Sequence, residues 1–396
     1  MDDPWGALLD EHFPPVAGSS DGPLAGTTFA AKDLFDVAGF VTGAGQPTWV
    51  ATHPPAATNA PAVQRLLDAG ATLVGRAHTA QMAYSLSGRD DPYGMPVNPA
   101  APDHDTGGSS SGSASAVGGG LVDLGLGTDT LGSIRVPASY GGLYGWRPTH
   151  GLVPLDGVHP LAASLDTVGL LAREPRLLQR AAGVLGGQAL VDGVAGRVLL
   201  AADAFAELEP ALRDELLEVA EGFGPTDSVD LAPDGRTLVG LTEVVRDVQG
   251  PEFAAVHRAW IEAERPTFVP GVRERIAHAL AVTPAAHEAA NEVRAELRDH
   301  LAAVLDPTDV VLVPLAGRPA RRDADDGAFA DARRTAASLS VVGSLGGLPT
   351  VAIPAVRSDG TPVGLGLLGP PGSDARLLSL AAGRPPVPPA TGPAAA

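Results

Sequence analysis

The sequence contains no cysteine and a single lysine. The first absence excludes disulfides, thiolate zinc sites and cysteine nucleophiles together. The second leaves one ammonium side chain, Lys32, in a chain whose 27 basic residues are otherwise all arginine. Bases are scarce as a class: 46 acids give a formal net charge of −19. Such a surface repels phosphate backbones and anionic lipid, so no nucleic-acid or membrane partner is expected. No apolar run approaches the length of about 18 residues that spans a bilayer. The opening stretch MDDPWGALLD has neither the basic region nor the apolar core of a signal peptide. Together these absences predict a cytoplasmic setting.

What is abundant is glycine, 49 residues, and proline, 37, a usage that favours loops and turns over long helices. NAPAVQRLLDAG (59–70) predicts a helix capped by Thr58 or Asn59 and closed by Gly70, followed by the short buried strand ATLVGRAH. Helical periodicity returns over 171–183 and 205–222, with GRVLLAAD (196–203) between them as a strand, and again over 251–305. DVVLVPL (309–315) reads as a buried strand and ASLSVVGSLGG as a helix closing on glycines. PTVAIPA and VGLGLLGP flank SDGTP as a hairpin, and SDARLLSLAAG is a last helix. The alternation predicts an α/β fold with a mixed sheet, formed by one domain over 1–396, with a disordered Pro/Ala tail at 384–396.

Residues 106–120 read TGGSSSGSASAVGGG. A linker is one reading. The continuation LVDLGLGTDTLGSIRVPAS argues against it, because a linker seldom feeds a buried strand and a tight turn. Small residues at this density let backbones approach each other or a ligand. The strand LVDLGLG ends at Gly127, and a turn then leads to a helix start near Ser133. That arrangement aims backbone N–H groups, with the partial positive charge of a helix N-terminus, into the space above the serine. It suits an oxyanion hole, although a serine at a helix start is more often only a cap.

The base that would activate a serine is less obvious. GSSSG (108–112) matches G-x-S-x-G with Ser110 at its centre, but the strand a nucleophile elbow needs is replaced by the proline-broken loop NPAAPDHDT. There is no H-E-x-x-H and no phosphate-binding P-loop, and DHD (103–105) reads as a solvated loop, so no metal or cofactor is expected. Lys32 remains, inside FAAKDLFD. Its apolar neighbours Phe29, Ala30, Ala31, Leu34 and Phe35 would lower its pKa, and a neutral amine is a base that a guanidinium cannot imitate. The competing reading is a structural ion pair to Asp33 or Asp36.

FAAKDLFDVAG, TGGSSSGSASAVGGG and GTDTLGSIRVPAS, in this order and spacing, resemble the amidase signature family, and the likeness runs from about residue 23 to 380. It implies a mixed central β-sheet covered by helices on both sides, a variable helical region over about 170–305, and amide hydrolysis through an acyl-serine. By motif position it implies Ser133 as nucleophile, Ser109 as bridging serine after a cis Gly108–Ser109 peptide, and Lys32 as base. Backbone N–H groups of Thr130, Leu131, Gly132 and Ser133 are the implied oxyanion donors, and Ser110, Asp129 and Arg135 the supporting residues. Leu131 stands where the family usually has glycine, and Ser111 replaces another common glycine. MAYSLSGRDDPYGMPVNP and VPASYGGLYGWRPTHG are most similar to the shorter branch typified by indole-3-acetamide hydrolase. Loops near Met82, Tyr84 and Tyr144 are expected at the substrate pocket. The implied partner is a small-molecule amide, ester or carbamate, with a homodimer as a further expectation. An amidotransferase subunit and a non-catalytic binding protein of the same fold are the alternatives.

Overall fold

Short apolar segments separated by glycine turns assemble into one ten-stranded sheet. In chain order its strands are β1 (Thr28–Lys32), β2 (Thr72–Ala77), β3 (Leu124–Thr128), β4 (Tyr144–Arg147) and β5 (Val168–Ala172). They continue with β6 (Val198–Ala201), β7 (Asp227–Val229), β8 (Val310–Pro314), β9 (Thr350–Ser358) and β10 (Thr361–Leu368). The spatial order is β2-β1-β3-β5-β4-β9-β10-β8-β6-β7. β1 runs parallel to β2 and β3, and β6 parallel to β7 and β8, while the central pairings from β3 to β8 are antiparallel. This computed structural model describes residues 2–10, 12–187 and 195–383, so the tail at 384–396 lies outside it.

Side chains on a strand alternate between faces, and the core divides accordingly. Phe29 and Ala31 of β1, Val168, Leu170 and Ala172 of β5, and Val351 and Ile353 of β9 enter one apolar cluster with helices Pro61–Asp68 and Pro175–Gly186. Ala30, Leu171 and Ala352, one residue out of phase, enter a second cluster on the opposite face with helices Ser111–Gly118 and Arg135–Gly141. Helices therefore cover both sides of a mixed sheet, as expected.

The local differences have identifiable causes. The helix after Asn59 begins at Pro61 with Ala60 at its cap and no side-chain cap bond, because Asn59 Oδ1 accepts instead from the Ala38 N–H at 2.9 Å. Residues 171 and 172, expected in a helix, complete β5, and the helix starts at Pro175. The Ser/Gly block holds a buried helix, Ser111–Gly118. It lies close to β3 because that strand carries glycine on the facing side: a Cβ at Gly127 would sit 2.7 Å from Ser110 Oγ. Among the described residues, the expected helical region of about 170–305 holds Pro175–Gly186, Ala202–Ala206, Pro210–Glu221, Leu238–Glu264, Pro270–Ala281 and Pro284–Val304, but β6 and β7 also fall within it.

Candidate active site

Alternation along β1 sends Lys32 to the same face as Ala30, toward helix Ser111–Gly118. There Lys32 is fully buried. Its Nζ lies 2.7 Å from Ser109 Oγ and 2.9 Å from Thr128 Oγ1. No carboxylate pairs with it among the described residues. Asp33 instead accepts from Arg76 at 3.3 Å and from the Gly43 N–H at 3.1 Å, and Asp36 from the Thr42 hydroxyl at 2.5 Å. The structural ion-pair reading of Lys32 is thereby removed. Burial pushes the amine down to a pKa of about 7, opposed only in part by the more distant carboxylates Asp129 and Asp166.

Ser109 follows a cis peptide from Gly108, at the entry to helix Ser111–Gly118. The next residue ties this entry to the second motif. The Ser110 N–H donates to the Ser133 carbonyl at 3.4 Å, and Ser110 Oγ donates to the Thr128 carbonyl at 3.2 Å. Lys32, Ser109, Ser110, Thr128 and Ser133 thus meet where β1, β3 and two helix starts converge.

The turn carrying Ser133 is organised by Asp129. Its carboxylate accepts the N–H groups of Gly132 (2.8 Å), Ile134 (3.1 Å) and Arg135 (3.3 Å). Arg135 adds Nε at 3.0 Å and Nη2 at 2.8 Å, and Arg147 adds Nη1 at 2.9 Å. Burial works to raise the Asp129 pKa, but the two guanidiniums override it and hold the carboxyl well below its usual range. The arginines are anchored in turn: Arg135 donates to the Ser340 carbonyl and Ser344 Oγ, and Arg147 to the Asp129 and Leu165 carbonyls.

This network corrects the expected oxyanion set. The Gly132 N–H is committed to Asp129 and cannot serve. The N–H groups of Thr130, Leu131 and Ser133 have no acceptor among the described residues. Gly132 contributes by conformation: its φ is +122°, and a Cβ there would meet Ser340 Oγ at 2.5 Å. Leu131 keeps a negative φ, so a side chain in place of glycine costs no backbone strain. Thr130 is fixed separately, its hydroxyl donating to Asp166 Oδ1 at 2.6 Å.

Ser133 opens on a cleft shared with Thr130, Leu131, Tyr84 and Leu161. Tyr84, one of the residues expected near the substrate pocket, lines this cleft. Met82 and Tyr144 are not on this cleft: Met82 packs in the core with Leu34 and Phe253, and Tyr144 lies on the interior strand β4. Thr128, Arg147 and Asp166 were missed. Nothing in the letters around them marks their roles, and only the folded chain brings each to its partner.

The family model for amidases matches residues 7–186 and 237–378, most of the chain. The chain belongs to the amidase family. It is an amide hydrolase, as its motifs implied. The unmatched internal segment, 187–236, includes β6 and β7 at the far edge of the sheet, remote in sequence from every motif. Among relatives, "Amidase 1" of Arabidopsis thaliana is 37% identical over 95% of this chain and 97% of that protein. A solved structure described as "Crystal structure of amidase" superposes with a TM-score of 0.81 at 33% identity, over 91% of this chain and 84% of that one.

The comparisons also correct the compartment. "Outer envelope protein 64, chloroplastic" of Arabidopsis thaliana is 30% identical over 94% of this chain and 69% of that protein. A family whose members include an organelle envelope protein does not share one cytoplasmic setting, and acidity with no cysteine cannot select between compartments. No helix among the described residues is long and apolar enough to cross a membrane.

Proposed function

We propose that this amidase cleaves small amides through a Lys32–Ser109–Ser133 relay. Neutral Lys32 takes the Ser109 hydroxyl proton as Ser109 takes that of Ser133, and Ser133 Oγ forms a bond to the amide carbonyl carbon. Electrons pushed onto the carbonyl oxygen are met by the free N–H groups of Thr130, Leu131 and Ser133. Collapse of the adduct breaks the C–N bond, and the proton returns through the same pair of residues to the departing nitrogen. Water repeats the sequence on the acyl-serine, releasing the carboxylic acid. Asp129, clamped by Arg135 and Arg147, holds the turn that carries the donors.

The observation that supports this reading above the others is the environment of the amine. A buried lysine 2.7 Å from a serine hydroxyl, without a carboxylate partner and with a pKa near 7, is equipped to be a base at neutral pH. Ser133→Ala tests the assignment. With a panel of primary amides, anilides, carbamates and esters, its turnover is expected to fall by about 10⁴-fold or more, and a fluorophosphonate that labels the wild-type chain once, at Ser133, should leave the variant unlabelled. Undiminished turnover by the variant would end this mechanism.

A further inference from the structure

The cleft at Ser133 is narrow and apolar along Leu86, Leu131, Leu161 and Val245, yet three guanidiniums line it. They come from three different helices. Arg246 lies on Leu238–Glu264, Arg275 on Pro270–Ala281 and Arg333 on Asp326–Leu345. Arg246 pairs with Glu243 at 2.7 Å, and Arg275 pairs with Asp90 at 2.6 Å while donating to the Tyr84 carbonyl at 2.5 Å. Arg333, partly buried, has no ion pair or hydrogen bond among the described residues.

This is not for want of carboxylates, since the chain carries 46 acids against 27 bases. Three guanidiniums facing two carboxylates leave the cleft with one unbalanced positive charge in an otherwise acidic molecule. Burial and the neighbouring Arg275 push Arg333 down to a pKa of about 10, which still leaves it a cation at neutral pH. A planar guanidinium matches a carboxylate through two parallel N–H···O bonds, and such a partner would supply the missing charge.

We propose that Arg333 receives a carboxylate borne by the substrate, so that the preferred substrates are short amides whose acyl portion ends in a carboxylate. The inference rests on the assignment of Ser133 as nucleophile, because only then does the cleft hold the acyl group. The apolar walls take the few methylenes between the scissile carbonyl and the anion. Arg333 is a specificity residue in this scheme, remote from the reacting atoms.

The test uses succinamate and its neutral isostere succinamide. Calorimetry on the full-length Ser133→Ala chain measures binding without turnover, and succinamate is expected to bind about ten- to a hundredfold more tightly. Adding Arg333→Gln should erase most of that ratio, and Arg333→Lys should restore part of it. In the Ser133-intact enzyme, Arg333→Gln should lower the kcat/KM ratio of succinamate to succinamide by a similar factor, chiefly through KM. Equal binding of the two amides, or a preference that survives Arg333→Gln, would overturn the proposal. If amides are turned over and Ser133 is labelled but no anion preference exists, this inference alone fails. If succinamate is preferred in binding but no amide is turned over and Ser133 resists labelling, the hydrolytic mechanism fails instead.

Discussion

Lys32→Arg is expected to lose almost as much activity as Lys32→Ala, about 10²–10⁴-fold in kcat/KM, the usual contribution of a positioned general base. The substitution keeps the positive charge available below neutrality but removes the possibility of a neutral form, because a guanidinium does not give up its proton in proteins. The pH dependence separates this from a packing defect. With its pKa near 7, wild-type Lys32 is protonated and inactive as a base at low pH, so activity rises with pH through about 7 and then levels. An arginine variant that is folded, by circular dichroism and melting, should show no such rise. Retention of most activity by Lys32→Arg would contradict the role given to the amine.

The second large effect is on stability. Asp129, Arg135 and Arg147 are all buried, and one carboxylate bridges the two guanidiniums. Asp129→Asn keeps the shape but leaves two cations facing each other out of water. Removing one member of a buried charge cluster typically costs about 3–5 kcal/mol, a large share of the roughly 5–15 kcal/mol that holds a protein folded. Urea denaturation should show that loss, with activity falling in parallel as the 130–133 turn loses its anchor. A loss below about 1 kcal/mol, the range of ordinary surface changes, would mean the cluster does not hold the turn.

How much of this was legible beforehand varies with the physics of each part. DVVLVPL and the VGLGLLGP hairpin arm stand out because a continuous apolar run bounded by turn residues has few other uses. VGLLA did not, since a short run buried on both faces carries no period, and its last two residues were read into the following helix. Ser111–Gly118 was invisible as a helix: its residues have weak helical propensity, and only the glycine side of β3 makes room for it. The lone lysine and the spacing of three motifs pointed to Lys32, Ser109 and Ser133 through resemblance. The Asp129 acceptors could not be read at all. Whether the Gly132 N–H faces a carboxylate or a substrate depends on a turn conformation that the letters LGS do not record. Arg246, Arg275 and Arg333 are far apart in the chain and become one feature only where three helices meet.

One lysine in the whole sequence turns the central claim into a single-site measurement. Chain produced with lysine labelled at the ε carbon has one labelled side chain, that of Lys32, and its NMR signal can be followed from pH 5 to 11 without assignment. The account predicts a transition near 7, shifted toward the ordinary value when the chain is unfolded in urea. A transition in the folded chain close to 10.5, the ordinary lysine value, would mean the amine is charged at neutral pH and cannot act as the base.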